Sequence, residues 1–392
     1  MAVEVRGLTD DEAGLYRDMV NARGHTPIEY YMSHYDGLGG GWDNSRVALV
    51  DGRIASHARL YDRAVRWGGG AIQCGGMADV YTRPEDRRKG YGRDLLRDAL
   101  GRYHEWGCGF SLISSGVVEF YAAEHWERWP TYRFDLAVQP ERLPAASDYR
   151  VRRFDRSADL EAVAAVYDDY NRDSPMTLVR DAAYWTKHFS WCRKEREEAF
   201  YVAELDGAVV GYMRADTNTI WETGYVAGHE MAALSLLDAE MRLMRSRGTK
   251  RCGVYLPCHE PLLYILRTLR CTTTLVETNL LRIVDLEQML QALAPGFAKQ
   301  LAACDHPTPP LGSVSLTSCG QTACITVGAD GVTVSHGVPE GTVDVSLPQR
   351  DLFNLMTGSD AHVHIAAPKA TRDLLEVLFP KRNPMWWPID TV

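Results

Sequence analysis

The run RRKGYG at residues 87–92 has the residue types and spacing that hold an anion. Gly90 and Gly92 carry no side chains, so a phosphate group could approach the backbone closely. The three basic residues of the run add positive charge around that position. A glycine-rich turn with solvated basic side chains is the alternative interpretation, and the neighbouring elements favour the anion site.

Those elements are a strand that ends near Val80 and a helix from about Arg93 to Trp106. A helix N-terminus presents unpaired backbone N–H groups and the positive end of the helix dipole. The apolar residues of the helix form one stripe: Leu95, Leu96, Ala99, Leu100, Tyr103 and Trp106. The pattern of strand, basic glycine turn and helix predicts a pyrophosphate site at the start of the helix.

Two hairpins are predicted upstream of this site. Their turns fall at Asp51-Gly52 and at Gly68–Gly70, and the second returning strand runs through Met77–Thr82. A strand at Phe110–Ile113 and a helix at Phe120–Trp126 are predicted downstream.

An internal repeat indicates a second domain of the same kind. VALVDG at residues 47–52 recurs as VAELDG at residues 202–207. The elements after the second copy follow the order of the first: helix Glu230–Arg245, strand Gly253–Pro257 and helix Pro261–Leu269. A domain boundary is expected near Leu143–Asp148.

A third, α+β domain is predicted from about Asp285. After a helix at Leu286–Leu293 and a proline-rich break, strand-like alternation returns. The predicted elements are strands Ser313–Thr317, Ala323–Val327, Val332–Ser335, Thr342–Leu347 and Ala361–Ala366, and helices Arg350–Thr357 and Lys369–Leu378. A tail with Trp386 and Trp387 is expected to dock on the protein.

Composition narrows the classes of function. The 392 residues carry a net charge of −9, and 45% of them are hydrophobic. A net acidic chain repels phosphate backbones, which disfavours nucleic acid and favours a cationic small molecule such as an amine. A start without basic or long apolar runs predicts neither a signal peptide nor a membrane helix. Nine irregularly spaced cysteines indicate reduced thiols in the cytoplasm and no metal site.

The segment VYTRPEDRRKGYGRDLL resembles the acyl-CoA signature of the GNAT superfamily, R-x-x-G-x-G between a strand and a helix. Arg87, Gly90 and Gly92 occupy its three key places. FYAAEHWE resembles the family's later motif Y-x-x-x-G-F, with Tyr121 at the tyrosine and His125 where glycine is usual. The resemblance implies an acyltransferase that uses acetyl-CoA as co-substrate.

The whole chain resembles the three-domain acetyltransferases of the enhanced-intracellular-survival type, which acetylate aminoglycosides. The resemblance implies α/β and α+β architecture: a catalytic GNAT domain at 1–143, a second, degenerate GNAT domain at 144–285 and a sterol-carrier-protein-like domain at 286–392. The second domain lacks R-x-x-G-x-G and is expected to bind no CoA. A homo-oligomer, as in the hexameric family, is also implied.

In the resembled family a tyrosine is the general acid and the C-terminal carboxylate is the base. The matching groups are the hydroxyl of Tyr121 and the carboxylate of Val392. A packed core tyrosine and an ordinary docked tail are the alternatives. The resemblance places acyl-CoA against Val80, Tyr81, Thr82, Arg87, Arg88, Lys89, Gly90, Tyr91, Gly92, Arg93, Ser115 and Gly116.

Other chemically capable residues belong to no motif that requires them. They are His25, His34, His57, His104, His125, Asp36, Asp43, Glu119, Tyr30, Tyr31, Tyr35 and Trp42. Two alternatives to an amine N-acetyltransferase stay open. One is a natural-product acyltransferase with another acyl-CoA or a hydroxyl acceptor, and the other is a binding protein that senses CoA or an apolar ligand.

Overall fold

The computed structural model of the chain describes residues 3–23, 32, 41–144, 148–191, 199–257, 261–304, 311–358 and 365–390. These residues form two compact units. Unit 1 consists of the described residues up to Trp129 together with those of Thr278–Lys381. Unit 2 consists of those of Pro130–Glu277 and those from Arg382 onward.

A seven-stranded sheet organises the first part of unit 1. Its strands are β1 (Val3–Gly7), β2 (Ser45–Val50), β3 (Arg53–Trp67), β4 (Gly70–Thr82), β5 (Phe110–Ser114), β6 (Glu127–Arg128) and β14 (Asn279–Ile283), in the order β1-β2-β3-β4-β5-β14-β6. Strands β4 and β5 are parallel, and the other neighbours are antiparallel. The predicted hairpins are confirmed. Asp51 and Gly52 have φ values of 50° and 78°, which the tight turn requires.

The helices of unit 1 are α1 (Ala13–Arg23), α2 (Tyr91–Glu105), α3 (Val118–Ala122), α8 (Leu286–Ala302), α9 (Gln349–Met356) and α10 (Lys369–Leu378). A four-stranded sheet completes the unit, with β15 (Gly312–Ser318), β16 (Gln321–Gly328), β17 (Gly331–His336) and β18 (Val343–Ser346) in the order β17-β16-β15-β18. Helix α2 buries the predicted apolar face, including Leu95, Leu96 and Ala99, against the first sheet.

Unit 2 contains a second seven-stranded sheet. Its strands are β7 (Thr131–Ala137), β8 (Arg150–Arg153), β9 (Phe200–Leu205), β10 (Ala208–Ala215), β11 (Thr219–Tyr225), β12 (Arg251–Val254) and β13 (Thr272–Val276), in the order β13-β7-β12-β11-β10-β9-β8. Its helices are α4 (Arg156–Tyr170), α5 (Ala182–Trp191), α6 (Glu230–Ser246) and α7 (Leu262–Leu266).

The two sheets repeat one topology, as the internal repeat predicts. Counted from β1 in the first sheet and from β8 in the second, the fourth and fifth strands are parallel, β4 with β5 and β11 with β12. The sixth strand does not follow chain order in either sheet: it is β14 in the first sheet and β7 in the second. The compact units therefore do not follow chain order, and the division at residues 143/144 and 285/286 stays a prediction.

Two predicted helices have different ends in the structure. Helix α8 continues to Ala302, although Leu293 was its predicted end and Pro295 lies inside it. Beyond Leu293 the helix packs closely on the β3–β4 turn, since a Cβ on Gly296 would lie 2.3 Å from the carbonyl oxygen of Gly68. This tertiary contact explains why the helix continues. Helix α3 ends at Ala122 instead of Trp126. Four residues of the predicted strand Ala361–Ala366 lie outside the described ranges.

The tail of the chain docks within unit 2, as expected. Trp387 is fully buried and donates a hydrogen bond of 2.9 Å from Nε1 to Oδ1 of Asn171. The backbone N–H of Met385 bonds to the carbonyl of Pro175 at 2.9 Å. Across the described parts of the chain, no helix has both the length and the apolar character that crossing a membrane requires.

Candidate active site

The candidate site begins where strand β4 diverges from strand β5. The two strands pair at Cys74–Gly75 opposite Phe110–Ser111 and then separate. At the separation, the Tyr103 hydroxyl of α2 donates a hydrogen bond of 2.7 Å to the carbonyl of Gly76, which satisfies a group that has left the sheet ladder. A Cβ on Gly75 would lie 2.4 Å from the Tyr103 ring, so this close approach requires glycine.

A β-bulge redirects the end of strand β4. The register with β3 shifts after His57, and Asp79 at the shift has a φ of 53°. Nδ1 of His57 lies 3.2 Å from the Asp79 carbonyl, and Oγ1 of Thr82 lies 2.8 Å from Oγ of Ser56. A bulge bends a strand and re-aims its residues. Residues 80–82 accordingly line the opening between the strands.

The basic glycine run forms the turn from β4 into α2. Gly90 is the N-terminal cap residue with a φ of 97°, no side chain caps the helix start, and a Cβ on Gly90 would meet no protein atom within 4 Å. A Cβ on Gly92 would lie 3.0 Å from the Phe120 ring and 3.4 Å from Oγ1 of Thr82. The helix start thus offers uncapped N–H groups beside open space, which fits a phosphate group.

Lys89 is paired within the turn. Its ammonium lies 2.9 Å from Asp86, which is buried and also receives Arg53 at 2.7 Å. Burial raises the pKa of Asp86, but hydrogen bonds from Lys89 and Arg53 outweigh it and hold the pKa below its usual value of 3.8. The Asp86 carboxylate therefore neutralises part of the positive charge that the sequence predicts for the anion site.

The arginines of the turn differ in their engagement. Arg93 lies 3.4 Å from the carboxylate of Glu124. Nε of Arg87 donates to the carbonyl of Thr82 at 3.3 Å, and its side chain is exposed beside the cleft. Arg88 has a φ of 63° and forms no hydrogen bond or ion pair with the described residues. Arg87 and Arg88 are therefore the cations with the most remaining capacity for an anion.

Tyr121 is a buried tyrosine of the cleft. It lies on α3 with its ring centroid 4.9 Å from that of Phe120 and 6.3 Å from that of Trp126. Burial raises its pKa above the usual value of 10.0, whereas a hydrogen bond with Ser115 works in the opposite direction. His125 has a φ of 66°, which explains a preference for glycine at this place of the motif. Tyr121 thus holds its proton at neutral pH.

A cleft with a volume of about 770 Å³ joins these parts. Its lining includes the predicted site residues Val80, Tyr81, Thr82, Arg87, Arg88, Gly90, Tyr91, Gly92, Arg93, Ser115 and Tyr121, while Lys89 and Gly116 are not among the lining residues. Asp86, Val117, Glu119, Phe120 and Ala123 line it as well. Sequence reasoning could have found Phe120, since an aromatic residue beside the motif tyrosine faces the same helix start.

Several residues considered from the sequence lie outside the described ranges: Val392, His25, His34, Asp36, Tyr30, Tyr31 and Tyr35. His57 is buried against the ring of Tyr16, with centroids 4.9 Å apart, and does not line the cleft. Asp43 pairs with Arg102 and Arg46. Among the described residues, no group of three or more His, Cys, Asp or Glu side chains is placed to hold a metal ion.

The corresponding place in unit 2 is filled by side chains. Strands β11 and β12 pair at Thr219–Ile220 opposite Gly253–Val254 before they separate. Beyond that point the rings of Trp221 and Tyr255 stack with centroids 5.6 Å apart. At the start of α6, Tyr225 and Leu234 pack in one apolar cluster with Leu262. This packing agrees with the expectation that the second domain binds no CoA, which stays a prediction.

Residues 24–128 match the family described as Acetyltransferase (GNAT) domain, and this range contains the split strands, the turn and Tyr121. The first domain is a GNAT acetyltransferase domain. Because residues 24–128 form such a domain, the chain is an acyltransferase. A comparison with curated protein sequences found no match.

Solved structures share the fold over nearly the whole chain. A GCN5-related N-acetyltransferase from Kribbella flavida is 16% identical, with a TM-score of 0.72 and 100% of both chains covered. One from Anabaena variabilis is 14% identical, with a TM-score of 0.73 and 98% of each chain covered. Eis1 from Mycobacterium abscessus is 16% identical, with a TM-score of 0.66, and the match covers 97% of this chain and 98% of that one.

These comparisons confirm the predicted fold class, a mixed α/β chain with tandem GNAT domains. The likeness to a sterol carrier protein in the last third of the chain stays a prediction. GNAT domains use acetyl-CoA as co-substrate, so the helix start and the split strands are the parts of unit 1 against which that molecule is to be fitted.

Proposed function

We propose that the cleft of unit 1 binds acetyl-CoA and transfers its acetyl group to an amine of a small molecule. One observation supports this most strongly. The separated strands β4 and β5 open onto an uncapped helix start, and a buried tyrosine stands in the same cleft. An anion site, a groove for an extended arm and a proton donor are the three requirements of this transfer.

The residues of the cleft suit the parts of acetyl-CoA. The backbone of Gly90–Gly92 and the side chains of Arg87 and Arg88 would hold the pyrophosphate, and the strand segment Val80–Thr82 would hold the pantetheine arm. When bound, acetyl-CoA supplies a thioester carbonyl as the acyl donor. Backbone N–H groups of the separated strand can polarise that carbonyl, because they have left the sheet ladder.

Tyr121 would act as the general acid. Its Oη holds a proton whose pKa lies above 10.0, and a departing thiolate, whose thiol has a reference pKa of about 8.5, needs one. Ser115 keeps the hydroxyl from becoming a still weaker acid, since its hydrogen bond lowers the Tyr121 pKa. Proton donation from Oη to the leaving sulfur is the step that this side chain would perform.

The acceptor is proposed to be a cationic amine, aminoglycoside-like or other, in its neutral form at the moment of attack. The net charge of −9 and the carboxylate of Glu119 on the cleft lining favour the approach of a cation. The carboxylate of Val392 is proposed as the base. A carboxylate, with a reference pKa of about 3.3–3.7, can remove the amine proton through a water molecule or when burial raises its pKa.

The test is release of free thiol from acetyl-CoA by the purified full chain with a panel of aminoglycosides, polyamines, amino acids and a lysine peptide. We expect release with at least one amine. Tyr121→Phe is expected to lower kcat about 100-fold or more, the range typical of a lost general acid. Absence of release with every acceptor and acyl donor would overturn the proposal.

The proposed base has its own test. Deleting Thr391 and Val392 is expected to lower kcat while the KM for acetyl-CoA stays unchanged, because the deletion removes a proton acceptor and leaves the helix start intact. An unchanged kcat in the shortened enzyme would exclude the terminal carboxylate and leave the role of Tyr121 standing.

A further inference from the structure

The side chain of Gln349 binds two separate backbone segments of unit 1, strand β14 and the turn after α3. Gln349 is the first residue of α9 and only 2% exposed. Its Nε2 donates to the carbonyl of His125 at 3.0 Å and to that of Leu281 at 3.3 Å. Its Oε1 accepts from the N–H of Ile283 at 2.7 Å. One amide group from the last third of the chain thus ties strand β14 to the turn that follows α3.

That turn is connected directly to Tyr121. The N–H of Trp126 bonds to the Tyr121 carbonyl at 3.2 Å, and the N–H of His125 bonds to that of Ala122 at 3.0 Å. His125 has a φ of 66°, a left-handed conformation that is strained for a non-glycine residue. A position so strained needs an external partner to hold it, and the hydrogen bond from Gln349 is directed at its carbonyl.

The strand on the other side of Gln349 also supports Tyr121. Leu280 of β14 is fully buried in one apolar cluster with Tyr121 and Trp126. The next residues of β14 are those that Gln349 binds through their backbone. A shift of β14 would therefore change the packing under the tyrosine ring as well as the turn behind it.

We propose that Gln349 is a positioning residue for Tyr121, and that the last third of the chain serves catalysis by fixing the helix of the general acid. This rests on the proposed function, in which Tyr121 donates a proton. Gln349 does not line the cleft, and it lies far along the sequence from the turn at residues 87–92. Its loss should change kcat and leave the KM for acetyl-CoA unchanged.

The chain offers a matched control in Gln321. Its Nε2 donates to the carbonyl of Val284 at 3.1 Å and its Oε1 accepts from the N–H of Leu286 at 2.8 Å. It is a glutamine of the same third of the chain that bridges backbone groups next to β14, and it forms no bond to the turn after α3. Gln349→Met removes three hydrogen bonds to backbone groups and Gln321→Met removes two, and each variant replaces an amide by an apolar side chain of similar volume.

The experiment measures kcat, KM for acetyl-CoA and the unfolding temperature for both variants in the full chain. We expect Gln349→Met to lower kcat by about 10- to 100-fold, the range that follows from a misplaced catalytic group. Gln321→Met should change kcat less than about twofold although it also loses two partly buried hydrogen bonds. Equal effects of both variants on kcat would overturn the proposal, because they would indicate general destabilisation.

A double-mutant cycle with Tyr121→Phe separates this proposal from the proposed function. If Gln349 acts through Tyr121, Gln349→Met should change kcat less than about twofold in the Tyr121→Phe background. An effect as large as in the wild type would overturn the positioning role and leave the acid role intact. A Tyr121→Phe variant with full kcat would overturn both.

A second variant covers a failure of Gln349→Met to fold. Gln349→Asn keeps an amide at this buried position, but its side chain is one methylene shorter and cannot reach the His125 carbonyl while the backbone of α9 stays in place. It should show the same fall in kcat with an unchanged KM. Wild-type kcat in a folded Gln349→Asn enzyme would overturn the proposal.

Discussion

The ammonium of Lys89 lies 2.9 Å from the carboxylate of Asp86, which is only 2% exposed, within the turn that leads into α2. The same carboxylate receives Arg53 at 2.7 Å. A lysine in the middle of an anion-binding sequence is thus engaged by a buried anion of its own chain. This relationship separates the basic residues of the turn into those that hold the turn and those that remain available to a ligand.

Arg87 and Lys89 should therefore differ in their effect on cofactor binding. We expect Arg87→Ala to raise the KM for acetyl-CoA about 10-fold, the value of one charge-assisted hydrogen bond to a phosphate. Lys89→Ala should raise it much less because its charge is already paired. Arg97→Ala, on α2 beyond the turn and paired with Glu124, is the control. A larger effect at Lys89 than at Arg87 would contradict the assignment.

Asp86 should contribute to stability in a pH-dependent way. Its pKa is held below 3.8, so its contribution is present above that pH and is lost as pH falls through the lower value of the folded state. Asp86→Asn should lower the unfolding temperature at pH 7, and the difference should shrink as the pH falls below 3.8. Glu85→Gln tests the exposed neighbour, 3.4 Å from Arg53, and should change little. A difference that does not shrink as the pH falls below 3.8 would exclude this origin.

Ser115 should tune the acid strength of Tyr121. Its hydrogen bond lowers the Tyr121 pKa against the effect of burial, so Ser115→Ala should raise that pKa further. We expect the alkaline limb of the kcat profile to move to higher pH and kcat at pH 7 to fall by about 3- to 10-fold, as for a weaker acid. Ser114→Ala changes the neighbouring serine, the exposed last residue of β5, and should leave the profile in place. A downward shift of the limb would contradict the assigned direction.

Alanine substitutions at Gly90 and Gly92 should affect different kinetic constants. Gly90→Ala places a Cβ at a φ of 97° in the open cleft, which should cost about 1–2 kcal/mol and raise the KM for acetyl-CoA. Gly92→Ala pushes against Phe120, the neighbour of Tyr121, and should lower kcat as well. Gly101→Ala, with nothing near its Cβ, should stabilise the fold by about 0.5–1 kcal/mol. Steady-state kinetics and thermal unfolding distinguish the three.

Replacement of Asp390 should destabilise unit 2. It pairs with the buried Arg180 at 2.9 Å and accepts a hydrogen bond of 2.6 Å from the Tyr184 hydroxyl, while Arg180 also pairs with Glu222. Asp390→Asn leaves a buried guanidinium with one partner fewer and should cost about 3–5 kcal/mol. Asp238→Asn, in an exposed pair with Arg242, should change little. Equal denaturation midpoints for the two variants would contradict the role.

Local features of the fold could be predicted because they depend on neighbouring residues. The turn at Asp51-Gly52 and its copy at Asp206-Gly207 need positive φ values, which glycine and aspartate tolerate. Helix α2 begins within two residues of its predicted start because Gly90 and the following apolar stripe define it. The end of α8 could not be predicted from the sequence, because a proline such as Pro295 normally ends a helix. In the structure, α8 continues to Ala302 and packs on the β3–β4 turn.

The sequence by itself determined the basic glycine turn, the repeat of one fold and the tyrosine motif, because each depends on residue types at short spacing. Tertiary structure alone decided that β14 lies in the first seven-stranded sheet and β7 in the second. It also decided that Asp86 pairs with Lys89 and that Gln349 binds the carbonyl of His125. Strand edges and buried amides accept any partner with the right geometry, so the choice depends on packing of distant segments. Spacing along the chain carries no information about that choice.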